Sequence, residues 1–223
     1  MKNVMLIGAS RGIGLEFVRQ YRADGVAVTA TARSEEGRAR IEALGARALT
    51  LDVATAAGAA ALAWPIDGEA FDTLIFNAGV YGPRTSGLAT PTEAEFNAVM
   101  HTNVLGAMRV LPQLAAHLAP GAKLAVISSR MGSIGLRGSA DGWLYRASKA
   151  ALNSVLKDVS IAFAGQATCI SFHPGWVRTD MGGASAPLTT EQSVTAMRRT
   201  IGKLNGKHRG AFVNYDGRLF KGW

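Results

Sequence analysis

The chain has a single cysteine, Cys169, which excludes an internal disulfide framework and is compatible with a reducing compartment. Its neighbours, Ala-Thr-Cys-Ile-Ser-Phe, read as a strand, so a buried thiol is expected and a nucleophile is not. No apolar run approaches the ~20 residues that a membrane span requires. The opening Met-Lys-Asn-Val-Met-Leu-Ile-Gly is apolar for only four residues before glycine, which suits a buried strand better than a secretory leader. The expectation is a cytoplasmic protein without a membrane partner. No zinc-ligand spacing is present, so no metal is expected, and His101 and His173 are read as packing or polar satisfaction. Acids are scarce: 16 Asp and Glu face 24 Lys and Arg, for a formal charge of +8. These cations are scattered, with no nucleic-acid motif beside them, so no nucleic-acid partner is expected. A ligand with several phosphates and a solvated basic surface account for the excess.

What is present is an alternating series. Short apolar, β-branched runs occur at Val4–Ile7, Val26–Thr31, Ala48–Leu51, Thr73–Phe76, Lys123–Ile127, Thr168–Phe172 and Ala211–Val213. Helix-forming stretches lie between most of them, among them Gly12–Ala23, Glu35–Leu44 and Glu93–Leu118. Thr90-Pro91-Thr92-Glu93 predicts a helix start, with Thr90 as cap, Pro91 in the first turn and Glu93 three places on. Continuously apolar strands separated by helices predict an α/β fold: a doubly wound parallel sheet of about seven strands, with helices on both faces. No repeat, low-complexity segment or linker interrupts the 223 residues, so residues 1–223 read as one domain. Ligands of such sheets bind beyond the carboxyl ends of the strands. Gly8, Asn77, Ser129 and Pro174 all fall there.

The first run is followed by Gly8-Ala9-Ser10-Arg11-Gly12-Ile13-Gly14 and then a helix-like stretch. Glycines permit a tight turn and close backbone approach to a pyrophosphate, which the following helix N-terminus stabilises. The spacing is G-x-x-x-G-x-G. The second run ends Thr29-Ala30-Thr31-Ala32-Arg33, without the acid that would hold the ribose 2′-hydroxyl of NAD. Arg33, helped by Arg11, could instead grip a 2′-phosphate; either could equally be an exposed surface charge. Both together, with the acid missing, point to NADP(H).

Tyr145 and Lys149 stand four residues apart in a helix-forming stretch, hence on one helix face. A free phenol titrates near pH ~10, and a nearby ammonium would favour its phenolate. Such a tyrosine would exchange a proton with a substrate oxygen near neutral pH.

With these markers in order, and with Asp52-Val53, Asn77-Ala78-Gly79, Asn103, Ser128-Ser129 and Pro174-Gly175 between and after them, the chain resembles the short-chain dehydrogenase/reductase family, a Rossmann-fold family, from about Lys2 to Trp223. The segments Ser129–Ile134, Tyr145–Asn153 and Phe212–Gly217 look like its small carbonyl-reductase branch, which includes sniffer-type and C-factor-like proteins. The resemblance implies an NADPH-dependent oxidoreductase that reduces an aldehyde, ketone or quinone, with an alternative as a catalytically weak cofactor-sensing or signalling member. It implies Tyr145 as proton donor, Lys149 as the group that lowers its pKa and holds the nicotinamide ribose, and Ser129 as partner of the substrate oxygen. Asn103 would hold a water leading to Lys149. Asp52 would accept from the adenine amino group, or else cap the next helix, with Val53 beside the ring. Asn77, Ala78 and Gly79 would line the cofactor. Pro174, Gly175 and Thr179 would flank the nicotinamide, with Val177 in the same stretch. Ser128 competes with Ser129, and strand alternation allows only one of them to face the substrate. Family relatives often pair through the helices after the fourth and fifth strands, so a homodimer or homotetramer is expected, with a monomer as the alternative. The stretch Asp180–Pro187 leaves little material for a lid, which predicts an open site; Met131, Ile134, Trp143, Trp176 and Met181 could line it or belong to the core.

Overall fold

The computed structural model describes every residue except Met1, Ala63 and Gly222. Seven strands form one sheet: β1 (Asn3–Ile7), β2 (Ala27–Ala32), β3 (Arg47–Thr50), β4 (Phe71–Phe76), β5 (Leu118–Ile127), β6 (Ala167–His173) and β7 (Ala211–Asn214). Their order is β3-β2-β1-β4-β5-β6-β7, every pairing parallel. The expected fold class, a doubly wound α/β sheet, is the one found.

The strands are mostly apolar because both faces are covered, with a few buried hydroxyls such as Thr29, Thr31 and Thr73. Met5 and Ile7 of β1, Leu74 and Phe76 of β4, and Leu124 and Val126 of β5 point into one core. Val4 and Leu6, Ile75, and Ala125 and Ile127 alternate into the other. The first core is closed by helices α3 (Ala56–Ala60), α4 (Glu93–Met100), α5 (Gly106–Val110) and α6 (Trp143–Ala162); the second by α1 (Gly12–Ala23), α2 (Glu35–Glu42) and α7 (Thr190–Gly202). Each fully buried Leu, Ile or Phe in these layers contributes roughly 1.5–3 kcal/mol.

Two local expectations need correction. The stretch Glu93–Leu118 is broken: α4 passes through a π-helical turn, His101–Leu105, into α5, and a 3-10 segment, Pro112–His117, follows. The helix start is also shifted by two residues. Thr92, and not Thr90, is the cap, in a reciprocal box with Glu95. Both registers satisfy the S/T-x-x-E pattern; the later one keeps β-branched Thr92 out of the first helical turn.

Strand order reverses between β1 and β4, and a cleft opens beyond their carboxyl ends. There Asn77 Nδ2 donates to the Gly8 carbonyl (2.6 Å) and the Gly8 N–H to Thr31 Oγ1 (3.0 Å), tying together the turns after β1, β2 and β4.

Candidate active site

The cleft encloses about 430 Å³ and runs from Arg33 and Asp52, through the glycine loop, to Tyr145 and Lys149. Gly8, Ser10, Arg11, Gly12, Ile13, Arg33, Asp52, Val53, Asn77, Ala78, Gly79, Pro174 and Thr179 line it, as do Tyr145 and Lys149. Gly14, Asn103, Ser129, Gly175 and Val177 do not line it, whereas Ser128 does. Gly14 has a packing role: a Cβ there would collide with the Gly8 carbonyl and meet Asn77 Nδ2 at 2.7 Å. Gly8 has φ +85°, and a Cβ on it would meet the backbone nitrogen of Ala78 at 2.7 Å. These two bare positions let the β1 and β4 turns touch.

At the outer end of the cleft, Asp52 Oδ1 accepts from the Ala54 N–H (3.0 Å), while Thr55 caps α3. Asp52 thus shapes a turn and still faces the cleft. Arg33 is exposed at the lip. Arg11 is also exposed, and its guanidinium pairs with Asp180 at 2.9 Å.

At the inner end, α6 begins at Gly142, whose φ of +65° turns the chain, and runs for 20 residues. Its buried stripe brings Tyr145, Ser148 and Lys149 against the ends of β4 and β5. Lys149 Nζ donates to the Ile127 carbonyl at 3.0 Å and lies 5.7 Å from the centre of the Tyr145 ring. Burial pushes the Tyr145 phenol up to about 12, an effect that the Ser129 hydroxyl partly opposes. Burial likewise pulls Lys149 down to about 8. The sequence expectation of a depressed phenol is therefore reversed. Desolvation of the phenolate dominates, and the Lys149 ammonium is turned toward the Ile127 carbonyl.

Of the adjacent serines, Ser128 turns its hydroxyl to the Lys149 carbonyl (3.5 Å), whereas Ser129 lies on the Tyr145 side and accepts from the Met131 N–H (3.1 Å). Asn103, fully buried in the π-helical turn, accepts from the Val80 N–H and donates to Val80 O, each at 2.8 Å, and donates to Ser148 Oγ at 2.9 Å. A π-turn re-aims such a side chain relative to a regular helix. A Cβ on Gly79 would meet Lys149 Nζ at 3.2 Å and Asn103 Oδ1 at 3.3 Å, so this glycine leaves open the space on which both groups converge.

Sequence reasoning missed Tyr81. Its ring stacks on Tyr145, with centroids 4.6 Å apart and planes at 24°. An aromatic residue two places after Asn77-Ala78-Gly79, at the carboxyl end of a strand, was the available signal. Thr31, Val80, Thr102, Arg178 and Asp180 also line the cleft unannounced. Of the five apolar candidates only Met181 lines it, and none is buried; Ile134 and Trp176 are largely exposed. His173 is half-buried against Phe220 with Nδ1 unpartnered, and burial, then Arg130, lowers it to about 4. It packs, but its polar atom is not satisfied; His101 is exposed and does not pack. Burial pushes the Cys169 thiol up to about 12, as an inert core residue requires. Among the described residues no His, Cys, Asp or Glu cluster could hold a metal ion, and no helix is long and apolar enough to cross a membrane.

The architecture has close counterparts. A putative short-chain dehydrogenase/reductase of Burkholderia multivorans, with bound NADP, superimposes with a TM-score of 0.89 at 32% identity over 98% of each chain. The carbonyl reductase Sniffer of Drosophila melanogaster gives 0.87 at 30% identity, and a carbonyl reductase of Pseudomonas aeruginosa in complex with NADP gives 0.86 at 33%, both over the whole of each chain. The C-signal of Myxococcus xanthus is 38% identical over 149 residues, 66% of this chain and 89% of that protein. The model of the short chain dehydrogenase family matches residues 2–188, and the chain belongs to that family.

Proposed function

We propose that this oxidoreductase uses NADPH to reduce an aldehyde, ketone or quinone to the alcohol. The observation that carries the reading is one continuous cleft joining the glycine loop and Arg33 to Tyr145 and Lys149. The residues present fit the cofactor: glycines where a Cβ would fill the cradle, two arginines at the far end, and arginine instead of an acid directly at the end of β2. The backbone of Gly8–Gly14 would hold the pyrophosphate, Arg33 and Arg11 the 2′-phosphate, and Asp52 and Val53 the adenine. Lys149 would hold the nicotinamide ribose hydroxyls, and Pro174, Gly175, Val177 and Thr179 the nicotinamide itself.

When bound, NADPH supplies a hydride to the carbonyl carbon. Ser129 and Tyr145 would stabilise the negative charge that develops on the oxygen, and Tyr145 would complete it with its proton. Asn103, locked by Val80 and Ser148, would hold a water beside Lys149. Exposed Met108 and Ile161, on α5 and α6, support pairing of two copies through these helices.

The likeness to the C-signal supports a second reading, a cofactor-sensing member with little turnover. The complete set of Asn103, Ser129, Tyr145 and Lys149 favours catalysis. A screen of NADPH oxidation against aldehydes, ketones and quinones separates the two. Turnover on any class supports the reductase; tight NADPH binding with no turnover supports sensing.

A further inference from the structure

Arg84 lies in the loop between β4 and α4, beside the inner end of the cleft. Its guanidinium carbon sits 5.1 Å above the centre of the Tyr81 ring, and Nη2 donates to the Met181 carbonyl on the opposite lip (2.8 Å). Because Tyr81 in turn stacks 4.6 Å from Tyr145, the guanidinium stands within about 10 Å of the Tyr145 ring, near one Debye length at 0.1 M salt. The loop is tied to the start of α6 at three points. The Gly142 N–H donates to Thr85 O (3.1 Å), the Gly87 N–H to Asp141 Oδ1 (3.1 Å), and Trp143 Nε1 to Ala89 O (2.9 Å). The hydroxyl of Tyr81 rests directly over Gly142, where a Cβ would collide with it. Arg84 is thereby positioned by the same helix that carries Tyr145.

Its charge is uncompensated. None of the ion pairs among the described residues includes Arg84. The two nearby carboxylates are engaged elsewhere: Asp180 with Arg11, and Asp141 with the Gly87 N–H and Ser139 Oγ. The single bond to a neutral carbonyl uses one of five guanidinium N–H donors. A carboxylate would replace that bond with a charge-assisted, two-pronged pair.

We propose that Arg84 is a specificity-determining residue that selects carbonyl compounds bearing a carboxylate several bonds from the reacting carbon. Tyr81 supplies the aromatic wall between the two ends of such a substrate. This inference rests on the reductase reading, and it names the substrate class for that site.

The test compares kcat/KM for 4-carboxybenzaldehyde and its methyl ester, with NADPH, in wild type, Arg84→Gln and Arg84→Lys. Wild type should prefer the carboxylate by at least ~10-fold, and the preference should shrink as salt screens the guanidinium. Arg84→Gln should bring the ratio of the two substrates at least ~10-fold toward unity, with Arg84→Lys between, because a point charge replaces a fork. Terephthalate should inhibit ester reduction by wild type competitively, a readout that requires no variant. Reduction of both aldehydes by wild type without preference, or a preference retained in Arg84→Gln, overturns the proposal and leaves the reductase standing. Reduction of neither aldehyde, nor of any other carbonyl compound, with NADPH still bound, removes the reductase reading and this inference with it.

Discussion

Lys149 Nζ stands 5.7 Å from the centre of the Tyr145 ring and spends a hydrogen bond on the Ile127 carbonyl, with no carboxylate partner among the described residues. A buried cation held this way costs stability in the absence of ligand, while its remaining N–H groups stay free to bind one.

That cost is measurable. Lys149 falls from 10.5 in a free side chain to about 8 in the fold. Below pH ~8 the group is charged in folded and unfolded chains alike, and the whole cost, roughly 3 kcal/mol, is present. Between about 8 and 10.5 the unfolded chain binds more protons, so the Lys149 contribution to stability rises with pH. Lys149→Met should therefore be more stable than wild type by about 1–3 kcal/mol at neutral pH, the advantage shrinking toward pH ~10. Urea unfolding of the cofactor-free proteins at several pH values checks this; taking the difference cancels Tyr145 and Cys169, which titrate in both. Equal stability at neutral pH would remove the buried-cation cost.

Tyr145→Phe keeps the ring that stacks on Tyr81 and deletes only the hydroxyl. Turnover should drop by at least ~100-fold while NADPH affinity holds, as loss of a proton donor requires. Single-turnover reduction and a fluorescence titration of NADPH give the two readouts. An active Tyr145→Phe protein rejects the proton-donor role.

Cofactor choice should follow the arginines. Arg33→Asp should weaken NADPH by at least ~100-fold and favour NADH, because a carboxylate suits a ribose hydroxyl and repels a phosphate. Asp180→Asn should have the opposite, smaller effect. The Arg11–Asp180 pair is exposed, 68% and 76% for the two side chains. An exposed pair is worth under ~1 kcal/mol, so release of Arg11 should tighten NADPH by about two- to five-fold and leave NADH unchanged. Titrations at fixed ionic strength decide it, and equal gains for both cofactors would argue against Arg11 as a phosphate ligand.

Gly14→Ala should damage binding through the backbone. Its Cβ would force the Gly8 carbonyl away from Asn77 Nδ2, now 2.6 Å apart. Overpacking of this kind costs typically 1–3 kcal/mol, and NADPH affinity should fall with the displaced loop. Thermal unfolding and cofactor titration report the two effects; an unchanged melting temperature would show that the turn can give.

The sheet was legible residue by residue. Each run, from Val4–Ile7 to Ala211–Val213, lies within a residue or two of an observed strand except at the start of β5, which begins five residues earlier at Leu118, because a strand covered on both faces has no polar side to interrupt it. Helix α1 matched at both ends. The capping register at Thr92 was not legible, since two overlapping patterns, Thr90–Glu93 and Thr92–Glu95, compete within six residues. The break at His101–Leu105 was not legible either: it depends on where Asn103 finds Val80 and Ser148, residues 23 and 45 positions away.

By itself the amino-acid order determined the seven strands, the glycine turn after the first of them and the helical spacing of Tyr145 and Lys149, all of which follow from local periodicity and short-range sterics. Only the tertiary structure decided how those two side chains ionise, which serine turns toward the phenol, and that Tyr81, Arg84 and Met181 meet across one lip. Desolvation and contacts between distant segments exist only once the chain has closed on itself, and no spacing along it encodes them.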